Sequence, residues 1–427
     1  MIVFASIENI KKKIKDGSYD ASLLRLYEDI EPQKKRYLKA VKEFEKSFKG
    51  ESCFIISVPG RTEVAGNHTD HQRGEVLAAS VSLDAIAVVS KRNDTVVNLR
   101  SAGYDKLFTV DLSDLTVHEQ EKESTESLIR GVAAGFKNRG LNVGGFDAYV
   151  QSDVLSGSGL SSSACFEVLI GTVLAYIYND DSVAPYKIAM IGQYAENEYF
   201  GKPCGLMDQM ACAIGGLIKI DFKDKEAPDF GKVPFEPEKN GYRLCIVDTG
   251  GSHADLTEDY ASVPADMKAV AKLLGHDVLR ESSQEELFEN ANKIRKKLGD
   301  RALLRAFHFF KESERVRLQR EKLENGDFEG FLKLVKKAGE SAVMYNQNAY
   351  TCKKTDEQGI VVGLMLCEKT LAERGAFRLQ GGGFAGTIQA YVPDGLLDEF
   401  KKNVQAVFGK DSVYTLGVRQ CGAAFFA

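Results

Sequence analysis

Leu155-Ser156-Gly157-Ser158-Gly159-Leu160-Ser161-Ser162-Ser163-Ala164 is the stretch on which the fold turns. Before it, Phe146 to Val150 alternates apolar and polar residues as a half-buried strand does. After it, Phe166 to Ile177 is apolar nearly throughout, as in a buried helix. A loop of small residues between a strand and a helix is an anion-binding arrangement. Gly157 and Gly159 let the backbone approach a phosphate, and the free N–H groups of the helix start point at it along the helix dipole. Ser161, Ser162 and Ser163 add hydroxyls for phosphate oxygens or a metal. The same serines would serve equally well to cap a helix. The loop is not a G-x-x-x-x-G-K-[ST] loop, and Ser162 stands where a dinucleotide fingerprint needs its third glycine.

Upstream, Cys53 to Val58 reads as a buried strand, and Pro59-Gly60 as the punctuation that ends it and delivers a loop running to His71. Arg61, Asn67, His68 and Asp70 crowd donors and acceptors into that loop, which suits a polyol, while Arg61 also suits an oxyanion or a phosphoryl group. An exposed polar loop has the same composition. Downstream, Ala195-Glu196-Asn197-Glu198-Tyr199-Phe200-Gly201 precedes Gly205-Leu206-Met207-Asp208-Gln209. Asp208 lies between Met207 and the apolar run Met210 to Ile214, where an ionised carboxylate is costly without a partner. It is either a structural ion pair or cap, or an acid or base at a site. Glu196 and Asp208 together would divide the labour of a kinase, one holding magnesium and the other handling a hydroxyl proton.

Further outward, Tyr37, Val41, Phe44 and Phe48 recur at helical spacing before Gly50. Ile86 to Ser90 and Thr95 to Leu99 are β-branched runs that suit a hairpin. Beyond the strand-like Arg243 to Asp248, helical periodicity covers Tyr260 to Leu274, Gln284 to Leu298 and Leu303 to Leu323, and Thr387 to Val392 returns to strand. The chain of 427 residues exceeds what one core usually fills, so two domains are expected. The polar, proline-bearing Lys223 to Asn240 suits the boundary. A net charge of −5 gives no general attraction to nucleic acid or to an anionic membrane. Eight singly scattered cysteines without zinc-ligand spacing read as reduced thiols, and no segment reads as a signal or membrane span, so a cytoplasmic protein is expected. Oligomeric state is not legible here, and a monomer is compatible with everything that is.

Taken in order, these clusters resemble the pattern of the GHMP kinases, and among them the galactokinases: P-G-R-x-N-x-x-G-E-H-x-D-Y, P-x-G-x-G-L-S-S-S-A, C-G-x-M-D-Q and G-G-G-F-G-G, matched here between Pro59 and Gly386. The resemblance implies a two-domain α+β fold. Its N-terminal α/β domain would be like domain 2 of ribosomal protein S5, with a left-handed crossover, its C-terminal α+β domain would be ferredoxin-like, and the site would lie between them. Residues 1–34 would then be a helical extension, 35–235 the first domain and 236–427 the second.

The implied activity is transfer of the ATP γ-phosphoryl group to the C1 hydroxyl of α-D-galactose, with ATP and Mg2+ as cofactors. Asp208 would contact the anomeric hydroxyl as base with Arg61 beside it. Asn67, His68, Asp70, Gly205 and Tyr260 would line the sugar, and Gly157, Ser158, Gly159, Leu160, Ser161, Ser162 and Ser163 would wrap the ATP phosphates. Ser163 and Glu196 would hold magnesium. A galacturonate or other sugar kinase, and a non-catalytic galactose and ATP sensor, are the alternatives. The departures bear on this choice: Asn67 stands where galactokinases have Glu, Glu63 where they have Asn, His71 where they have Tyr and Leu155 where they have Pro, and Arg378-Leu379-Gln380 precedes the glycine segment. An amide in place of a carboxylate removes an anion and adds two donors, which would admit an acid at C6.

Overall fold

The computed structural model describes residues 3–154, 161–224, 227–251 and 256–427. Long runs of β-branched and small apolar residues build the first sheet, from β1 (Ala5–Ser6), β2 (Ser52–Ala65), β3 (Glu75–Lys91), β4 (Val96–Ser101), β5 (Leu107–Asp111), β6 (Phe146–Ser152), β7 (Leu217–Asp221) and β8 (Asp229–Val233). Its main path runs β1-β2-β3-β6-β4-β5, with β7 on the other half of β3 and β8 beyond it. The second sheet holds β9 (Tyr242–Asp248), β10 (Ala376–Leu379), β11 (Thr387–Pro393) and β12 (Val413–Leu416) in the order β10-β11-β9-β12, all antiparallel. Numbered within this sheet the order is 2-3-1-4, with helical segments after the first and third strands, which is the ferredoxin-like arrangement. β13 (Ala424–Phe426) then returns to pair with β2.

Three local expectations are corrected. Pro59 and Gly60 do not end the strand: β2 continues to Ala65 and takes up the irregularity as register shifts between Pro59 and Arg61 and between Glu63 and Ala65. Proline has no N–H for a ladder and is tolerated in a strand at such a bulge, which also re-aims the side chains beyond it. Arg61 and Glu63 are therefore strand residues. Nor do β3 and β4 form a hairpin, because β6 lies between them, antiparallel to β3 and parallel to β4. The hairpin is β4 with β5. The helical run Gln284 to Leu298 is also broken, at Asn290, into Gln284–Glu289 and Ala291–Leu298.

The helix Ser162–Tyr178 has twelve buried residues among its seventeen, which is why its sequence is apolar on nearly every face. It packs under β2 and β3 within the main core, beside the helices Pro185–Tyr194 and Met207–Ile214. On the other face of the sheet, the helices Ile7–Lys15 and Glu31–Ser47 place Ile10, Ile14, Tyr37, Val41 and Phe44 in a second core with Ile55, Val88 and Phe426. At its centre, wholly buried Asp84 of β3 meets Arg36 at 2.6 Å and Arg419 at 3.3 Å, and accepts from Ser57 and Tyr27. This cluster was not legible in the sequence beyond the one charge it places in an apolar run.

Candidate active site

The bulged end of β2 presents Arg61 to the helix Met207–Ile214, in whose first turn Asp208 stands. Arg61 Nε donates to Asp208 Oδ1 at 2.7 Å and Nη2 to Oδ2 at 2.6 Å, a two-point pair between residues 147 positions apart. Ser161, at the N-cap of Ser162–Tyr178 with φ of 53°, also donates to Asp208 Oδ2. A left-handed serine carries backbone strain, and its place beside the part-buried Asp208 carboxylate is where such strain is commonly held. Burial opposes the charge on Asp208, but Arg61 outweighs it and, with Ser161, holds the carboxyl below its ordinary value. The Asp208 side chain keeps 27% of its surface open while Arg61 keeps 7%, so the carboxylate is the accessible member of the pair.

Two residues beyond Ser161, Ser163 Oγ donates to Glu196 Oε1 at 3.0 Å. Glu196 belongs to a π-helical turn, Ala195–Phe200, that continues Pro185–Tyr194 and is of a kind frequent at functional sites. A hydroxyl and a carboxylate side by side, with Lys202 Nζ 3.9 Å away, form an oxygen donor set that fits Mg2+ carrying nucleotide phosphates and waters. Behind Glu196, Gln209 Nε2 donates at 2.9 Å to Glu196 Oε2 and at 2.9 Å to Glu167 Oε2. Burial, and then the neighbouring Glu196, pushes the Glu167 carboxyl well above its ordinary value. The sequence reading missed Glu167; its signal was an acid in the apolar helix run Phe166 to Ile177.

The sugar-type loop is tied to the second domain. His68 is buried, has φ of 61°, and donates from Nε2 to Gly382 O at 3.0 Å; burial lowers its pKa to about 3, so it is neutral. Asp70 lies against Gly205, where an added Cβ would come within 2.2 Å of the carboxylate. Tyr260 lies against Gly382 in the same way, at 2.1 Å, and donates to Gly383 O at 2.8 Å. His68 and Tyr260 thus meet at the glycine segment, while Asp70 and Gly205 lie against each other. Gly157, Ser158, Gly159 and Leu160 lie outside the described residues; Ser162 and Ser163 open the helix after them.

Asn67 is wholly engaged. Its Nδ2 donates to Glu63 Oε1 at 3.1 Å and Gly381 O at 2.6 Å, and its Oδ1 accepts from Asn348 at 2.9 Å and Asn346 at 3.3 Å. The two donors expected to favour an acid are therefore already used. Glu63 in turn is paired with wholly buried Arg378 of β10, which also donates to Val64 O at 2.7 Å. From the long helix Asp300–Glu324, His308 donates to Asn67 O at 3.0 Å and Glu312 accepts from Gly66 N at 3.1 Å. The carboxylate and amide that galactokinases carry at these two positions are exchanged, and Arg378 supplies the counter-charge that the new position needs.

Comparison with known proteins bears on this geometry. Residues 127–216 match the GHMP kinases N terminal domain, and residues 42–91 match the galactokinase galactose-binding signature. The chain is 28% identical over 377 residues to a galactokinase of Actinobacillus pleuropneumoniae serotype 5b, covering 87% of this chain and 94% of that one. It is 28% identical over 375 residues to a galactokinase of Limosilactobacillus reuteri, covering 86% and 92%. The chain is similar to the GHMP kinases. In fold, the chain is similar to the Lactococcus lactis galactokinase crystallised with galactose, at a TM-score of 0.76 and 23% identity over 90% of this chain and 98% of that one. A mevalonate kinase follows at 0.60 and 15%, over 85% and 98%. The two matched segments contain Arg61, Asn67, His68 and Asp70 in one, and Ser161, Ser163, Glu196 and Asp208 in the other. These similarities indicate a phosphotransferase that acts on a sugar hydroxyl with ATP, and no described helix is long and apolar enough to cross a membrane.

Proposed function

We propose that the chain is a galactokinase, transferring the γ-phosphoryl group of ATP to the C1 hydroxyl of α-D-galactose. The observation that carries this reading is the two-point Arg61–Asp208 pair, joined by Ser161 at the mouth of the phosphate-loop helix. The hydroxyl oxygen forms its bond to the γ-phosphorus as the bridge to the β-phosphate breaks, ADP leaves, and the hydroxyl proton passes to Asp208. A carboxylate held below its ordinary pKa is a weak base, so Asp208 orients the hydroxyl first and takes the proton late. That order suits a loose phosphoryl-transfer transition state, which asks little of a base. Arg61 keeps Asp208 in place and places a positive charge where negative charge develops. Ser163 and Glu196 would hold Mg2+, which when bound neutralises phosphate charge. His68, Asp70 and Tyr260 supply the sugar contacts, and Gly205 leaves room for Asp70.

Galacturonate is a weaker reading, because Asn67 has both its hydrogens committed inside the protein. A non-catalytic sensor would have no need of Asp208 with Arg61 or of Ser163 with Glu196. The buried free cysteines suit a reducing, cytoplasmic setting. A coupled ADP-release assay with a panel of hexoses and uronic acids tests the whole reading. Turnover with galactose well above that with galacturonate is expected. Turnover with no member of the panel would overturn the kinase reading, and preference for galacturonate would overturn its substrate.

A further inference from the structure

Glu167 is fully buried in the middle of an apolar helix, where a carboxyl group is expensive unless something is gained from it. It takes no part in the proposed chemistry and touches neither the sugar loop nor the phosphate loop through any hydrogen bond described. One of its oxygens accepts from Gln209 Nε2 at 2.9 Å, and the other is buried with no partner among the described residues. Gln209 Nε2 has two hydrogens, and the second goes to Glu196 Oε2, also at 2.9 Å. A carboxamide that gives one hydrogen to each of two carboxyl groups is anchored at two points, and loss of either anchor frees it to turn. Glu167 therefore fixes the orientation of Gln209, and Gln209 fixes the rear oxygen of Glu196. The front oxygen, Oε1, is left facing Ser163. Outer partners of this kind orient the groups that bind a metal and typically change its affinity by about 10- to 100-fold when lost.

We propose that Glu167 is a positioning residue for Glu196, acting through the Gln209 amide to hold the divalent-metal carboxylate in its binding orientation. This rests on the reading of Glu196 as a metal ligand. A purely structural acid in an apolar helix would be replaceable by a side chain of similar volume without effect on metal affinity, and with a gain in stability if anything.

The test is the Mn2+ affinity of the enzyme–ADP complex, followed by the electron paramagnetic resonance of free Mn2+, together with Tm, in the full chain. Glu167→Met removes the acceptor at similar volume and is expected to weaken Mn2+ by about 10- to 100-fold, with affinity for metal-free ADP unchanged. Glu167→Gln keeps an acceptor for Gln209 and is expected to stay close to wild type. Glu196→Gln serves as the control. Wild-type affinity in Glu167→Met, with Glu196→Gln weakened, overturns this inference and leaves the metal reading standing. Equal weakening in Glu167→Met and Glu167→Gln also overturns it, since the hydrogen bond would then not be what matters. If Glu196→Gln binds Mn2+ as wild type does, the metal reading falls and this inference with it. Should Glu167→Met fail to fold, Gln209→Met removes the same bridge from its centre, and wild-type affinity there is decisive against the proposal.

Discussion

Asp84 and Asp208 are both carboxylates bound to arginine within the first domain, and they are built to opposite ends. Asp84 has no exposed surface and is held by two arginines, a serine and a tyrosine, so that nothing remains for another group to approach. Asp208 has one arginine and one serine, and more than a quarter of its side-chain surface is open. Arginine charge outweighs burial in both, and both carboxyls are held below their ordinary value. A depressed carboxyl pKa alone therefore does not mark a catalytic group; the open face does. Closure on all sides is what makes a buried charge serve stability, and one side left open is what makes it available for reaction.

The comparison breaks most readily at Asp208. Asp208→Asn keeps shape and removes the proton acceptor, so kcat is expected to fall by about 10²- to 10⁴-fold while Tm and ATP binding stay near wild type. Near-normal kcat would remove its role as base. Asp84→Ala is the mirror image: it leaves Arg36 and Arg419 buried without their counter-charge and is expected to cost about 3–5 kcal/mol of stability. The kcat per folded molecule should change little, and a urea titration with an assay below the transition measures both. The sign with pH follows. Because the folded pKa of Asp84 lies below its unfolded value, its contribution is present above about pH 4 and is lost as pH falls through the folded value. The acid-side fall in stability should accordingly be shallower in Asp84→Ala than in wild type.

A smaller effect is expected at the exchanged pair. Asn67→Glu alone sets a second carboxylate against Glu63 and should lower both stability and galactose kcat/KM. The double variant Glu63→Asn/Asn67→Glu should recover part of the loss, with a coupling of about 0.5–3 kcal/mol. Strict additivity would show that the two positions do not act as a unit. Smallest of all is the pH effect of His68. With its pKa near 3 it stays neutral across the working range, so His68→Asn should raise the galactose KM without changing the shape of the kcat/KM profile between about pH 5 and 8. A limb lost in that variant would assign it to His68.

How much of this was legible in sequence depends on the distance over which each feature is determined. The helix Ser162–Tyr178, the strand β6 and the polar crowding from Arg61 to Asp70 follow from neighbouring residues, and they could be read directly. Asp208 was recognisable as a buried acid in need of a partner, but periodicity could not supply that partner, which lies on another element. The continuation of β2 through Pro59 was missed because the punctuation rule describes a strand in isolation, whereas here pairing with β3 carries the chain across a bulge. The insertion of β6 between β3 and β4 was missed because chain proximity favours a hairpin and only the completed sheet overrules it. Arg378 was noted only as a departure from a pattern. Its meaning needed Glu63, 315 positions away, to be seen beside it.

The late return of the chain to its first sheet has a consequence in time. Arg419, which donates to Ser57 and faces Asp84, lies 362 residues beyond Ser57. At about 5–20 residues per second, a ribosome takes roughly 20–70 s to cover that distance. Throughout that interval the nascent first domain has one outer edge of β2 without β13, and a buried aspartate with only one of its two arginines. The half-made chain therefore carries an open strand edge, a template for pairing with another chain, until β13 has been made.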